Sequence, residues 1–186
     1  MKPLLNILFL GLLGFSTLGF AQSVGDSAAE FSLIDDSENI IQLSSFTGTP
    51  LILNFWASWC EPCIEELPFF ERLHTEFNEG KDSPALNVLL VNNGEVYDTA
   101  RTFLREDLGI SLASGFDASK AQASSLKAAG QEIQKTIDVV KRYRVRGMPT
   151  TFFIDAEGVI QAVKVGILLP DEAPGVLASI GLEWQP

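Results

Sequence analysis

The sequence predicts an α/β domain in which helices cover both faces of a central sheet, and three observations carry that expectation. Leu51-Ile52-Leu53-Asn54-Phe55-Trp56-Ala57 is almost wholly apolar over the length of a strand, which suits a strand buried on both faces. Directly after it, Ile64, Leu67, Phe70, Leu73 and Phe77 recur at three- and four-residue spacing, the period of a helix with one apolar stripe. Strand and helix patterns then continue to alternate, an order that lays helices on a sheet. With 46% hydrophobic content and thirteen Phe in 186 residues, the chain can fill one core of ordinary domain size, which excludes a disordered polypeptide.

In chain order, Lys2, the apolar run Leu4–Phe15 and Ser16-Thr17-Leu18-Gly19-Phe20-Ala21 have the tripartite layout of a secretory signal. Small Gly19 and Ala21 stand where a signal peptidase inspects the chain. Cleavage after Ala21 would leave one domain over residues 22–186. The alternative is an uncleaved membrane anchor through residues 4–20, since about 17 apolar residues approach the length that spans a bilayer. Either reading puts the remainder in the periplasm or another extracytoplasmic space.

Ala28–Leu33 and Ile40–Leu43, separated by Asp35-Asp36-Ser37-Glu38-Asn39, read as an N-terminal β-hairpin with a polar turn. Thr47-Gly48-Thr49-Pro50 interrupts the chain ahead of the central strand. In the helix that starts at Pro62, Pro68 is expected to produce a kink by removing a backbone bond. A polar linker over Asn78–Pro84 leads to a second buried strand, Leu86–Val91, which Asn92-Asn93-Gly94 ends. Val96, Ala100, Phe103, Leu104 and Leu108 mark the next helix, stopped by Gly109. Ile110–Phe116 holds a short strand or loop. Ala118–Tyr143 is then helical, with Leu126, Ile133, Ile137 and Val140 on one face and Gly130 dividing it in two. Thr150–Ile154 and Val159–Val165 flank Asp155-Ala156-Glu157-Gly158 as a hairpin, and Pro170–Ile180 forms a closing helix with Pro170 near its start.

Charge and cysteine count narrow the chemistry. A formal net charge of -11 repels nucleic acid phosphates and anionic lipid, so no nucleic acid partner is expected. Cys60, Cys63 and His74 are too few to build a four-ligand structural zinc site, and neither a metal nor a cofactor is expected. Both cysteines fall in Trp59-Cys60-Glu61-Pro62-Cys63, at a strand-to-helix junction. There the free N–H groups and positive end of the helix stabilise a thiolate on Cys60, and Cys63, one turn on, is spaced to resolve a mixed disulfide. A purely structural bridge would be a poor staple, because closing so short a loop removes little unfolded-state entropy. Glu61, between the cysteines, opposes thiolate formation, which points to a less oxidising couple and hence a reductant.

Asn54-Phe55-Trp56-Ala57-Ser58-Trp59-Cys60-Glu61-Pro62-Cys63, together with Tyr-Arg-Val-Arg-Gly-Met-Pro-Thr-Thr-Phe-Phe-Ile-Asp over residues 143–155, resembles the thioredoxin superfamily. More narrowly, it resembles exported TlpA/ResA-like thiol-disulfide oxidoreductases, over about residues 24–182. The resemblance implies a thioredoxin-like fold with a central mixed sheet flanked by helices, and a cis Pro149 beside the cysteine pair. Met148 and Pro149 would present backbone to an extended substrate, with Trp59 as a further substrate contact. It implies Glu66 as the carboxylate that accepts and returns a proton, since Asn54 stands where thioredoxin has a buried aspartate. Partners implied are a disulfide-containing protein substrate and a membrane thiol electron donor, with reduction steps of cytochrome c maturation among the family's roles. A monomer is expected. Against the family's usual path, the stretch before Pro149 is longer by roughly sixteen residues, about 24 Å if helical. This helical insertion, about residues 118–143, is expected to reshape substrate access or a partner surface.

Two rival functions differ in class. A thioredoxin-fold binding module or holdase would carry the dithiol as a relic. A peroxiredoxin-like peroxidase, suggested by the N-terminal hairpin, needs a Thr three residues before the reactive Cys and a Pro further upstream, where this chain has Ala57 and Leu53. His74 is expected to be a partly exposed helix residue, and Arg144 and Arg146 loop cations that could steer an acidic substrate.

Overall fold

The computed structural model describes residues 22–79 and 85–185. The leader or anchor read over residues 1–21 and most of the linker read over residues 78–84 lie outside the described residues. In order the elements are β1 (Ser32–Ile34), β2 (Ile40–Gln42), a 3-10 turn (Leu43–Phe46), β3 (Leu51–Trp56), α1 (Glu61–Glu79), β4 (Asn87–Asn92) and α2 (Tyr97–Thr102). A π-helical turn (Phe103–Asp107), β5 (Ala113–Gly115), α3 (Lys120–Ala128), α4 (Thr136–Arg142), β6 (Thr150–Ile154), β7 (Ile160–Val165) and α5 (Ala173–Ser179) follow.

Five strands form one mixed sheet in the order β5-β4-β3-β6-β7. β3, β4 and β5 run parallel, while β6 pairs antiparallel with both β3 and β7. Every residue of β3 is buried, as its continuous hydrophobicity requires of a strand covered twice. Its alternation sorts the core. Ile52 and Trp56 join the cluster formed with α1, α2 and α5, whereas Leu51, Leu53 and Phe55 join the one formed with α4 and the N-terminal hairpin. Asn54 shares the parity of Ile52 and Trp56 and therefore faces α1.

The two-stranded β1-β2 sheet matches the expected hairpin, though its strands are shorter. Asp35 shapes the turn by accepting the N–H groups of Ser37 and Asn39 at 2.8 Å each. α1 runs through Pro68, which lies on its exposed side. The buried face of α1 is also shifted from the sequence reading: Cys63 and Glu66 join Leu67, Phe70, Leu73 and Phe77, and Ile64 is only half-buried. The closing helix begins at Ala173 with Pro174 in its first turn, three residues after Pro170.

Gly130 divides the helical stretch over residues 118–143 as expected, with φ +76, and residues 131–135 are not helical. The anticipated single apolar stripe therefore does not form. α4 docks through Val139 and Val140 with Ile137 packed alongside, but α3 buries no residue fully and is held by a Ser119 and Gln122 capping box at its start.

Candidate active site

β3 delivers the chain to the site. After Trp56, the Ala57 carbonyl accepts the Cys60 N–H at 3.1 Å, closing a turn with Ser58 and Trp59 at its two central positions. Cys60 then caps α1. Its carbonyl accepts the N–H groups of Cys63 at 3.0 Å and Ile64 at 3.1 Å, and its Sγ accepts the Cys63 N–H at 3.3 Å. Pro62 occupies a first-turn position where no intrahelical donor is needed. The two sulfurs are joined as a disulfide with Cα atoms 5.2 Å apart. Cys63 is fully buried and Cys60 retains 5% exposure, so Cys60 is the more accessible residue of the pair.

The Met148-Pro149 peptide bond is cis. Pro149 is buried, and half-buried Met148 packs against the core cluster that contains both cysteines. The Thr150 hydroxyl donates to the Gly147 carbonyl at 2.6 Å, and the Gly166 N–H donates to the Pro149 carbonyl at 2.8 Å, so hydrogen bonds hold the loop on both sides of the proline. Trp59, at the tip of the preceding turn, is 67% exposed.

Glu66 lies one helical turn beyond Cys63 and is 1% exposed, which excludes a solvated helix-face charge. Its Oε1 accepts from Asn54 Nδ2 at 2.7 Å and its Oε2 accepts the Leu168 N–H at 3.0 Å. Burial pushes its carboxyl up to about 7, against the Leu168 and Asn54 hydrogen bonds and the positive charge of Lys164, all of which favour the ionised form. Asn54 Nδ2 also donates to Thr151 Oγ1 at 2.9 Å, while its Oδ1 has no partner. The carboxylate that the family resemblance implied is thus a buried group able to change protonation near neutral pH.

One residue of the site escaped sequence reasoning. Glu95, in the loop after β4, accepts the Ser58 N–H at 2.8 Å and the Ser58 hydroxyl at 2.5 Å. Its only sequence signal was a polar run, Asn92 to Glu95, at a strand end. His74 is half-buried further along α1, and Arg144 and Arg146 are exposed on the loop before Met148. Among the described residues, no group of three or more His, Cys, Asp or Glu is arranged to hold a metal ion.

A disulfide-linked cysteine pair at the start of the helix after the central strand, with a cis proline leading into the strand paired beside it in a mixed sheet, defines a thioredoxin-fold disulfide-exchange protein. The particular family follows from comparison. Residues 24–163 match the AhpC/TSA family, and the chain belongs to that family and, within it, to the ResA-like thiol-disulfide oxidoreductases. It is 32% identical to the thiol-disulfide oxidoreductase ResA of Oceanobacillus iheyensis, over 84% of this chain and 72% of the relative. With ResA of Geobacillus kaustophilus it shares 28% identity over 89% and 83% of the two chains. Among solved structures, a thiol:disulfide interchange protein DsbE from Chlorobium tepidum superposes with TM-score 0.67 at 27% identity, over 87% of this chain and all (100%) of that one. A thio-disulfide isomerase from Thermus thermophilus matches in fold, with TM-score 0.64 at 20% identity over 87% and 99% of the two chains. At the positions where the peroxidase reading needs a Thr and a Pro, Ala57 and Leu53 are fully buried apolar residues.

Proposed function

We propose that the protein reduces disulfides of other proteins outside the cytoplasm, with Cys60 as the entering thiol and Cys63 as the resolving one. The observation that carries this reading is the Cys63 N–H directed at Cys60 Sγ at 3.3 Å, at the start of α1. With the disulfide open, that donor and the positive helix end favour a thiolate on Cys60. The thiolate attacks one sulfur of a substrate disulfide, forming a mixed disulfide and expelling the other substrate sulfur as a thiolate. Deprotonated Cys63 then attacks Cys60 Sγ. The Cys60-Cys63 bond forms, the mixed bond breaks, and the second substrate sulfur leaves.

Two electrons have passed to the substrate, and its two thiolates take up two protons. Glu66 accepts the proton from Cys63 and returns it when the pair is reduced again. That second half-reaction takes two electrons from a thiol donor at the membrane. Trp59, Met148 and Pro149 hold the substrate chain across Cys60, with one copy of the domain (residues 22–186) sufficient for the site. Residues 1–21 act as export signal or anchor. Glu61, exposed between the cysteines, supports the reducing direction because it disfavours the thiolate. A role in cytochrome c maturation rests on the family resemblance.

The test is the reduction potential of the pair, read together with a Cys60→Ser variant. We expect a potential near thioredoxin's, about -270 mV, and no turnover of a protein disulfide by the variant. A potential near about -120 mV would make the protein a disulfide donor instead. A Cys60→Ser protein that loses turnover yet keeps its function in the cell would leave only the binding-module reading. For the pathway, deleting the gene should abolish haem attachment to c-type cytochromes, and added thiol reductant should restore it.

A further inference from the structure

The turn that carries Cys60 out of the sheet contains a backbone donor that its own hydrogen bond does not use. In a turn closed from the fourth residue to the first, the N–H of the second residue points outward and needs a partner. Here that residue is Ser58, and its partner is Glu95 Oε2 at 2.8 Å. The Ser58 hydroxyl adds a second bond, to Glu95 Oε1 at 2.5 Å, so both carboxylate oxygens grip one residue. Glu95 is itself held at two points: its Oε2 accepts from Asn92 Nδ2 at 2.7 Å, and its N–H donates to Asn92 Oδ1 at 2.8 Å. Asn92 is buried at the end of β4, in register with Trp56 at the end of β3. The four bonds therefore tie the Cys60 turn to the neighbouring strand, and the three made by the Glu95 carboxylate are charge-assisted contacts, which are shorter and stronger than neutral ones.

We propose that Glu95 is a positioning residue for the exchange centre: through Ser58 it sets the direction in which Trp59 and Cys60 leave the end of β3. Among the described residues, the turn's own hydrogen bond is that of Cys60 N–H to the Ala57 carbonyl, and 67%-exposed Trp59 has little packing of its own. Small errors in the direction of a nucleophile cost large factors in rate, because reaction requires near-attack geometry. The inference rests on Cys60 being the entering thiol.

Two substitutions separate grip from mere occupancy. In Glu95→Gln the side-chain oxygen can still accept from Ser58 N–H and Asn92 Nδ2 while the amide donates to the Ser58 hydroxyl, so the geometry survives without the charge. Glu95→Ala removes the grip. We expect reduction of insulin disulfides, with dithiothreitol as electron source, to fall about tenfold in kcat/KM for Glu95→Ala and to stay within about twofold for Glu95→Gln. Ser58→Ala, which keeps the backbone contact and loses one bond, should fall in between, and it tests the idea even if Glu95→Ala does not fold. Full activity in Glu95→Ala or in Ser58→Ala would overturn the inference, as would equal losses in the Ala and Gln variants at position 95. The Cys60→Ser protein measured alongside distinguishes the failures. If it is inactive while Glu95→Ala is not, only the positioning role is lost; if it is active, the assignment of Cys60 falls and this role with it.

Discussion

At the residue scale, Glu66 is where burial and hydrogen bonding oppose each other most closely. Its carboxyl is raised from an ordinary 4.5 to about 7, so between those values the folded protein holds a proton that the unfolded chain has released. Stability contributed by this group is therefore complete below about pH 4.5 and is lost as pH rises through about 7, a span of about 3 kcal/mol. Glu66→Gln cannot ionise, and urea denaturation should find that it lacks this decline: compared with the parent protein it gains stability at pH 8 relative to pH 5. Asn54 can follow the change, because turning its amide presents the unpartnered Oδ1 to the new donor. A parent protein whose urea midpoint is the same at both pH values would show that the Glu66 proton is not bound as described. The spacing of Glu66 from Cys63 was legible in the sequence. Its burial was not, because Glu65 next to it has the same chemistry and stands in solvent.

At the scale of elements, α4 reaches the Glu95 loop through one glycine. Gly94, with φ +75, lies between Asn92 and Glu95, and a Cβ placed on it would stand 3.4 Å from Ile137 Cβ on α4. Two requirements meet there, a left-handed backbone and close approach of a helix. Gly94→Ala should cost about 1–2 kcal/mol from the backbone alone, measured by urea denaturation, and should slow disulfide exchange by disturbing Glu95. A variant as stable and active as its parent would mean that α4 does not support this loop. α4 itself is anchored at its start, where the Thr136 N–H donates to Asp117 Oδ1, and buries Val139 and Val140 against the sheet. From the sequence, Gly130 was correctly read as a division, and the apolar stripe was read as continuous across it. Periodicity alone could not see that residues 131–135 leave the helix, which breaks the register between Leu126 and Ile137.

For the whole molecule, the charge of -11 is the dominant long-range term. Exchange with a cationic disulfide peptide should be faster than with an anionic one of the same length, and the difference should shrink as ionic strength rises from about 0.01 to 0.15 M, where the screening length falls from about 30 to 8 Å. Equal stopped-flow rates for the two peptides at low salt would show that the field at Cys60 does not follow the net charge. The family resemblance implied the proline loop beside the cysteines, and the sequence by itself determined the α/β plan, the central strand and the dithiol at its helix junction. These are written in local patterns: continuous apolarity, helical period, and cysteine spacing within a single turn. Only the tertiary structure decided which polar side chains serve the site. Asn54 meets Glu66 across twelve residues and Leu168 meets it across more than a hundred, while Glu95 reaches Ser58 from the neighbouring strand's end. Such contacts are made when parallel strands and a returning antiparallel strand are brought into register, and no local pattern in the chain encodes which distant partner a buried polar group will find.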